Sequence, residues 1–224
     1  MPESLRVIAF AVPDGSRAGL ALEDRLVFAP DDPTDAAAEI ELEADAATVR
    51  SGERTLRATL RGTAEADLRG GQLEGEDDTG AIAGTVPAPD SGESLRLAVA
   101  VFPGARMFGL AARRPRRAGG HDRDELTALV VEADAARAVE DPRLSVTLDA
   151  RDVPRRVGLE LWLATEIEDE DGAERYEPPR RAAGEVSGPP VGFDVAGLAA
   201  AAHPVRWRSR GDDGFGWFVL VHGR

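Results

Sequence analysis

The chain has 224 residues, no cysteine and a formal net charge of -14, from 41 acidic against 27 basic side chains. That length supports one large β domain or two small ones without covalent staples, and the lack of cysteine excludes disulfides, thiol nucleophiles and thiolate metal sites. A negative field of this size repels phosphate backbones and anionic headgroups, so neither nucleic acid nor a membrane surface is expected as a partner.

At the start, Met1-Pro2-Glu3-Ser4 carries no basic region, and the apolar run of residues 5–12 is interrupted by Arg6 and stopped by Pro13-Asp14-Gly15. Neither a signal peptide nor membrane insertion fits that pattern, and the chain is read as soluble and cytoplasmic. Strand-like runs follow at residues 19–22, 25–29, 38–43, 47–50, 55–60, 64–68 and 95–102. In Glu39-Ile40-Glu41-Leu42-Glu43 and Leu56-Arg57-Ala58-Thr59-Leu60 the period of two buries one face and wets the other, as half-exposed antiparallel strands require. Asp14-Gly15-Ser16, Asp31-Asp32-Pro33, Ser51-Gly52 and Arg69-Gly70-Gly71 are read as turns. Residues 75–92, acidic and rich in Gly and Pro, are read as a long loop with at most one edge strand.

A second composition break covers residues 111–124, where Arg113-Arg114-Pro115-Arg116-Arg117 precedes Gly119-Gly120-His121-Asp122-Arg123-Asp124. The boundary between an N-terminal β half, 1–112, and a C-terminal β half, 113–224, is placed there. Beyond it, strands are expected at 125–133, 143–148, 155–163, 174–177, 181–187, 191–195, 205–208 and 215–221, with a hairpin tip at Asp169-Glu170-Asp171-Gly172. Helix is scarce: a turn or two at 195–202, and a weaker candidate at 134–139. The fold class is therefore all-β and antiparallel, a barrel or sandwich of two β-rich halves packed together.

Titratable residues are densest in His121, Asp122 and Asp124. A histidine beside carboxylates holds a proton near neutral pH, and a carboxylic acid on a pocket rim can protonate an alkene or carbonyl. The competing reading is a solvated loop of paired charges. Arg113 and Arg114 could orient the polar end of a ligand, or serve as counter-charge to the acidic loops. Trp162, Trp207 and Trp217 all fall on expected strands, and aromatics at a barrel mouth can hold an apolar ligand. Alternation in Leu159-Glu160-Leu161-Trp162-Leu163 puts Glu160 and Trp162 on the face opposite the leucines, either a surface or a pocket. Inside a barrel, Glu160 would have a raised pKa and act as an acid. His203, before Pro204, is read as a loop residue, and with His121 and His222 it shares no close ligand spacing, so no metal site is expected. No cofactor is implied, and no Gly-x-Ser-x-Gly elbow is present.

Several short segments carry a resemblance: residues 116–124, Asp141-Pro142-Arg143-Leu144-Ser145, residues 154–163, Arg180-Arg181-Ala182-Ala183-Gly184-Glu185 and Gly211-Asp212-Asp213-Gly214-Phe215-Gly216. Together they resemble uncharacterised bacterial proteins akin to the lipocalin-like AttH and hydroxyneurosporene synthase (carotenoid 1,2-hydratase) superfamily. The resemblance spans roughly residues 113–221; the N-terminal half matches only in strand rhythm. It implies two packed lipocalin-like barrels and, for characterised members, hydration or cyclisation of terpenoid chains through protonation of a double bond. It would also imply an apolar pocket with an Asp, Glu or His acid. Barrels of this kind host binders as readily as enzymes. Three readings stay open: a binder of a small lipophilic, terpenoid-like molecule, a hydratase or cyclase using His121, Asp122 or Asp124 as acid, and a non-catalytic structural or interaction module.

Overall fold

A computed structural model describes residues 3–11, 18–29, 35–61, 68–74, 79–116, 123–132, 135–163 and 177–223, and among these the architecture is antiparallel β almost throughout. The first sheet comprises β1 (Ser4–Ala11), β2 (Ala18–Leu22), β3 (Arg25–Ala29), β4 (Asp35–Ala37), β5 (Glu39–Leu42), β6 (Ala46–Ser51), β7 (Arg54–Arg61), β8 (Leu68–Leu73) and β9 (Gly80–Pro87). Sequential strands pair, and β9 returns to β1. β4 pairs back to β3 and β5 forward to β6, with only Ala38 between them, so the two act as one interrupted strand and the sheet closes into a barrel. Ala38 keeps its own donor satisfied through the Asp24 carbonyl at 2.8 Å.

The second sheet comprises β10 (Ser94–Phe102), β11 (Arg106–Arg114), β12 (Glu125–Glu132), β13 (Ala135–Leu148), β14 (Pro154–Leu163), β15 (Arg180–Val186), β16 (Val191–Val195), β17 (Leu198–Ser209) and β18 (Asp212–His222). Here too β18 returns to β10. Along β17, Leu198 to Ala202 pair with β16 and Val205 to Arg208 pair with β15, so β15 and β16 form a second interrupted strand and this sheet also closes. The interruption falls at Ser187-Gly188-Pro189-Pro190, where two prolines remove ladder donors. The chain passes from one sheet to the other between Pro87 and Ser94, and β10 and β11, which precede residue 113, are strands of the second sheet.

Strand alternation sorts the apolar residues into three cores. Ile8, Phe10, Ile40, Val49 and Leu60 fill the first barrel. Ala98, Ala100, Phe108, Leu110, Val130, Leu159, Leu161, Trp207 and Phe218 fill the second. The third cluster lies between the barrels, where Leu5, Val7, Leu20, Ile82 and Val86 meet Leu95, Leu97, Val99, Met107, Trp217 and Val219. Strands β1, β10 and β18 are thus buried on both faces, which is why their sequences read as nearly continuous apolar runs. Trp217 donates from Nε1 to the Ala18 carbonyl across this seam at 3.3 Å.

Several expectations need correction. Residues 80–87 form β9, which sits between β1 and β8 and is largely buried. Its Gly-Ala-Ile-Ala-Gly run is weakly hydrophobic, but Ala81 and Ala83 face the first core, a Cβ on Gly80 would stand 2.7 Å from the Ala105 carbonyl oxygen, and Ile82 packs where a Cβ on Gly109 would stand at 2.9 Å. Arg69-Gly70-Gly71 is strand, not turn: a Cβ on Gly71 would lie 2.0 Å from the Thr59 carbonyl oxygen, so the close pairing with β7 needs glycine there. Residues 195–202 form the β16–β17 hairpin, with Ala196 and Gly197 at φ of 49° and 82°, the left-handed pair of a tight hairpin turn. Residues 135–139, inside the weaker helical candidate, belong to β13. The tip at 169–172 lies outside the described residues.

Candidate functional site

The C-terminal barrel is built from strands whose inward positions alternate with outward ones. On β17, inward His203, Val205 and Trp207 alternate with outward Arg206 and Arg208. His203 and Pro204 occupy the gap where β17 changes partner from β16 to β15. A proline without a donor is tolerated there, and the Ser187 backbone N–H bonds its carbonyl at 2.9 Å. His203 is therefore a strand residue, 3% exposed, its ring 6.4 Å from that of Phe218. Burial pushes its pKa below the ordinary histidine value and keeps the imidazole neutral.

Trp207 lies across the barrel interior in a slot made by glycines on both neighbouring strands. It pairs with Gly184 on one side and Gly214 on the other. A Cβ on Gly184 would stand 2.7 Å from the indole Cε3, and one on Gly216 would stand 3.0 Å from Nε1. No residue larger than glycine admits the ring in this position. The indole is 1% exposed, and its Nε1 has no hydrogen-bond partner among the described residues. The same holds for His203 Nδ1. Buried polar atoms left unpaired are uncommon in native proteins and cost about 1–3 kcal/mol each.

Outside this wall, where β15 lies between the longer β13–β14 and β17–β18 hairpins, runs a groove of about 1140 Å³. Its floor is small, with Ser145, Gly158, Ala183, Gly184 and Gly214, and it reaches Val157 and Trp207 of the barrel wall. Arg156, Arg206, Arg208, Glu185 and Asp213 rim it. Arg208 is tied to Asp213 at 2.9 Å and Arg156 to Glu185 at 3.5 Å, whereas Arg206 makes no ion pair among the described residues.

The two ends of β12 carry ionic clusters on the inward face. Asp124, just before the strand, faces Arg96 at 3.3 Å and Arg114 at 3.8 Å, and its side chain is 4% exposed. Burial lowers the pKa of Arg96, which Asp124 opposes by its charge. Eight residues on, a distance of ~26 Å at strand rise, the Glu132 carboxylate accepts from Arg180 Nε at 2.9 and 3.1 Å and from Nη2 at 2.9 Å. Glu177 joins Arg180 to Arg137, each at 3.2 Å.

The sequence-based site residues thus fall in different places. Asp124 and Arg114 meet, in a carboxylate–guanidinium cluster suited to a structural counter-ion. Arg113 points the other way and bonds Glu93 at 2.7 Å, which raises its own pKa. Glu160 and Trp162 lie on the outer face, joined by a 3.0 Å bond from the indole Nε1 to the Glu160 carboxylate. Arg181 bonds Glu160 from the next strand and holds it below the usual carboxylate range, the opposite of what an interior position would give. Of the ligand-binding set, Trp207 lies inside among the apolar residues and Arg114 on the inward face in the ionic cluster. His121 and Asp122 lie outside the described residues. Reading the sequence as loop at 203 missed His203, and Arg96 was passed over although Leu95-Arg96-Leu97-Ala98 puts it on the same face as Ala98, inside. A charged residue on an inward face is the signal that finds such clusters.

No protein-family model and no curated protein sequence matches the chain.

Proposed function

We propose that the chain is a lipocalin-like binding module, akin to the AttH superfamily, whose C-terminal barrel takes a small lipophilic molecule. The observation that carries this reading is Trp207: an indole with an unpaired donor, set in a glycine slot among the apolar residues of the barrel and adjoining an open groove. The interior supports it through its alanines, Ala98, Ala100, Ala112, Ala128 and Ala182, which leave the wall smooth and low in side-chain bulk. Eight-stranded barrels are either filled by their own side chains or hold one small ligand, and the small side chains here favour the second. The acid chemistry of a hydratase has less support, because Asp124 is engaged by two arginines and Glu160 is bonded to Arg181 on the outer face.

A retinoid or polyene titrated into the chain should quench tryptophan emission saturably, with Kd below about 100 μM, since ten buried methylene-sized units offer several kcal/mol. Linear quenching that never saturates would leave the structural-module reading ahead.

A further inference from the structure

We infer that the groove outside the C-terminal barrel is a second binding site, for a monocarboxylate with an apolar chain, whose head is held by Arg206. The site lies mainly on the outer face of the sheet and does not require a ligand inside the barrel.

Strand register builds it. Arg156, Glu185 and Arg206 stand opposite one another on β14, β15 and β17, and four residues away on the same face Arg143, Glu160 and Arg181 do so on β13, β14 and β15. Between these charged rows, ~13 Å apart at strand rise, the row Ser145, Gly158 and Ala183 forms a floor without bulk. The floor ends at the Arg208–Asp213 pair on β17 and β18. Arginine stems wall the trough with methylenes, and Phe215, opposite Arg206 on β18, adds a ring at the closed end.

The charges around the trough do not balance. Arg143 pairs with Asp141 at 2.7 Å, Arg181 with Glu160 at 3.3 Å, Arg156 with Glu185 at 3.5 Å and Arg208 with Asp213 at 2.9 Å. Arg206 is the guanidinium left over among the described residues, on a chain of net charge -14. Its planar fork matches one carboxylate. A dianion would bring surplus negative charge against Glu185 and Asp213. Three strand spacings, ~14 Å, separate β17 from β13, room for a straight chain of about ten carbons over the floor.

Decanoate, decanol and decylammonium, titrated separately into the full chain, test this at about 0.15 M salt, where distant acidic charges are screened. Binding is read by calorimetry and by the Arg206 Nε–H signal in a proton–nitrogen correlation spectrum, assigned through its loss in Arg206→Gln. Decanoate should move that signal saturably and bind about fivefold more tightly than decanol. Arg206→Gln should abolish the preference, and Arg206→Glu should transfer it to decylammonium; the side chain is exposed, so both variants should melt like the native chain. Equal affinity for decanoate and decanol, a decanoate preference that survives Arg206→Gln, or saturable decanoate binding that leaves the Arg206 signal unmoved would overturn the groove site. None of these bears on binding inside the barrel, which the Trp207 indole reports.

Discussion

Trp217 of the C-terminal barrel donates its indole N–H to the carbonyl of Ala18 in the N-terminal barrel, a bond between residues 199 positions apart. The indole is fully buried in the apolar seam, so the anchor of one barrel is made of the other's backbone. Neither barrel keeps its outer strands dry without its neighbour.

The seam therefore predicts joint unfolding. Urea denaturation followed by tryptophan emission and by far-ultraviolet circular dichroism should give coincident single transitions. Trp217→Phe should lower stability by about 2–3 kcal/mol through the lost hydrogen bond and a partly filled cavity, moving both probes together. Two separated transitions would show barrels that fold independently.

Asp124→Asn should cost about 2–3 kcal/mol, measured as a shift of the urea midpoint. Removing the carboxylate charge leaves Arg96 and Arg114 facing each other in a largely buried site, and breaking such a cluster from one side costs more than a surface pair is worth. A loss under about 0.5 kcal/mol, the level of a solvated surface residue, would contradict the burial seen for this aspartate.

Gly216→Ala and Gly184→Ala should both be severely destabilising. The first places a methyl 1.9 Å from the Val99 carbonyl oxygen, which is backbone and cannot yield, and the second places one 2.5 Å from Val205 and 2.7 Å from the indole. Overpacking of this kind costs about 1–3 kcal/mol where side chains adjust, so the Gly184 variant should remain folded with a displaced Trp207. The Gly216 variant should fail to accumulate as folded protein; normal melting of both would refute the glycine slot.

His203 sets a pH dependence. Its folded pKa is depressed by burial, so the unfolded chain takes up the proton first as pH falls. The contribution is fully present above the unfolded value of about 6.5, and stability declines below it until the folded pKa is reached, with a slope of at most about 1.4 kcal/mol per pH unit. Glu93, Asp149 and Glu160, whose pKa values are lowered in the fold, act in a separate window below about pH 4.5. Stability curves of native and His203→Leu protein should diverge in slope between pH 6.5 and 5, and parallel curves would contradict a buried neutral imidazole.

The alternating strands β5, β7 and β14 were legible because half of each is wet, and their charges mark the pleat. Strand β9 was not, since Ala81 and Ala83 are buried in the first core while Gly80 lets Ala105 and Met107 come close on the other face, tertiary effects that no local window contains. β11 was missed for a related reason: Met107 to Ala112 is apolar on both faces, so no period of two appears. Trp162 and Trp207 look alike in sequence. Which one faces inward depends on strand register, and alternation around Trp162 left only the choice between surface and pocket. His203 was hidden by Pro204, a residue that signals a loop unless a ladder has a gap to receive it.

The most direct test of lipophile binding at Trp207 is a proton–nitrogen correlation spectrum of the three indole N–H groups, taken during titration with decanol. Ligand binding in the C-terminal barrel should move the Trp207 signal downfield and saturably as Nε1 gains an acceptor, while the Trp162 and Trp217 indoles, already bonded to Glu160 and Ala18, stay near their starting positions. A Trp207 signal that never moves, or a saturable shift confined to Trp162 on the outer face, would contradict the account.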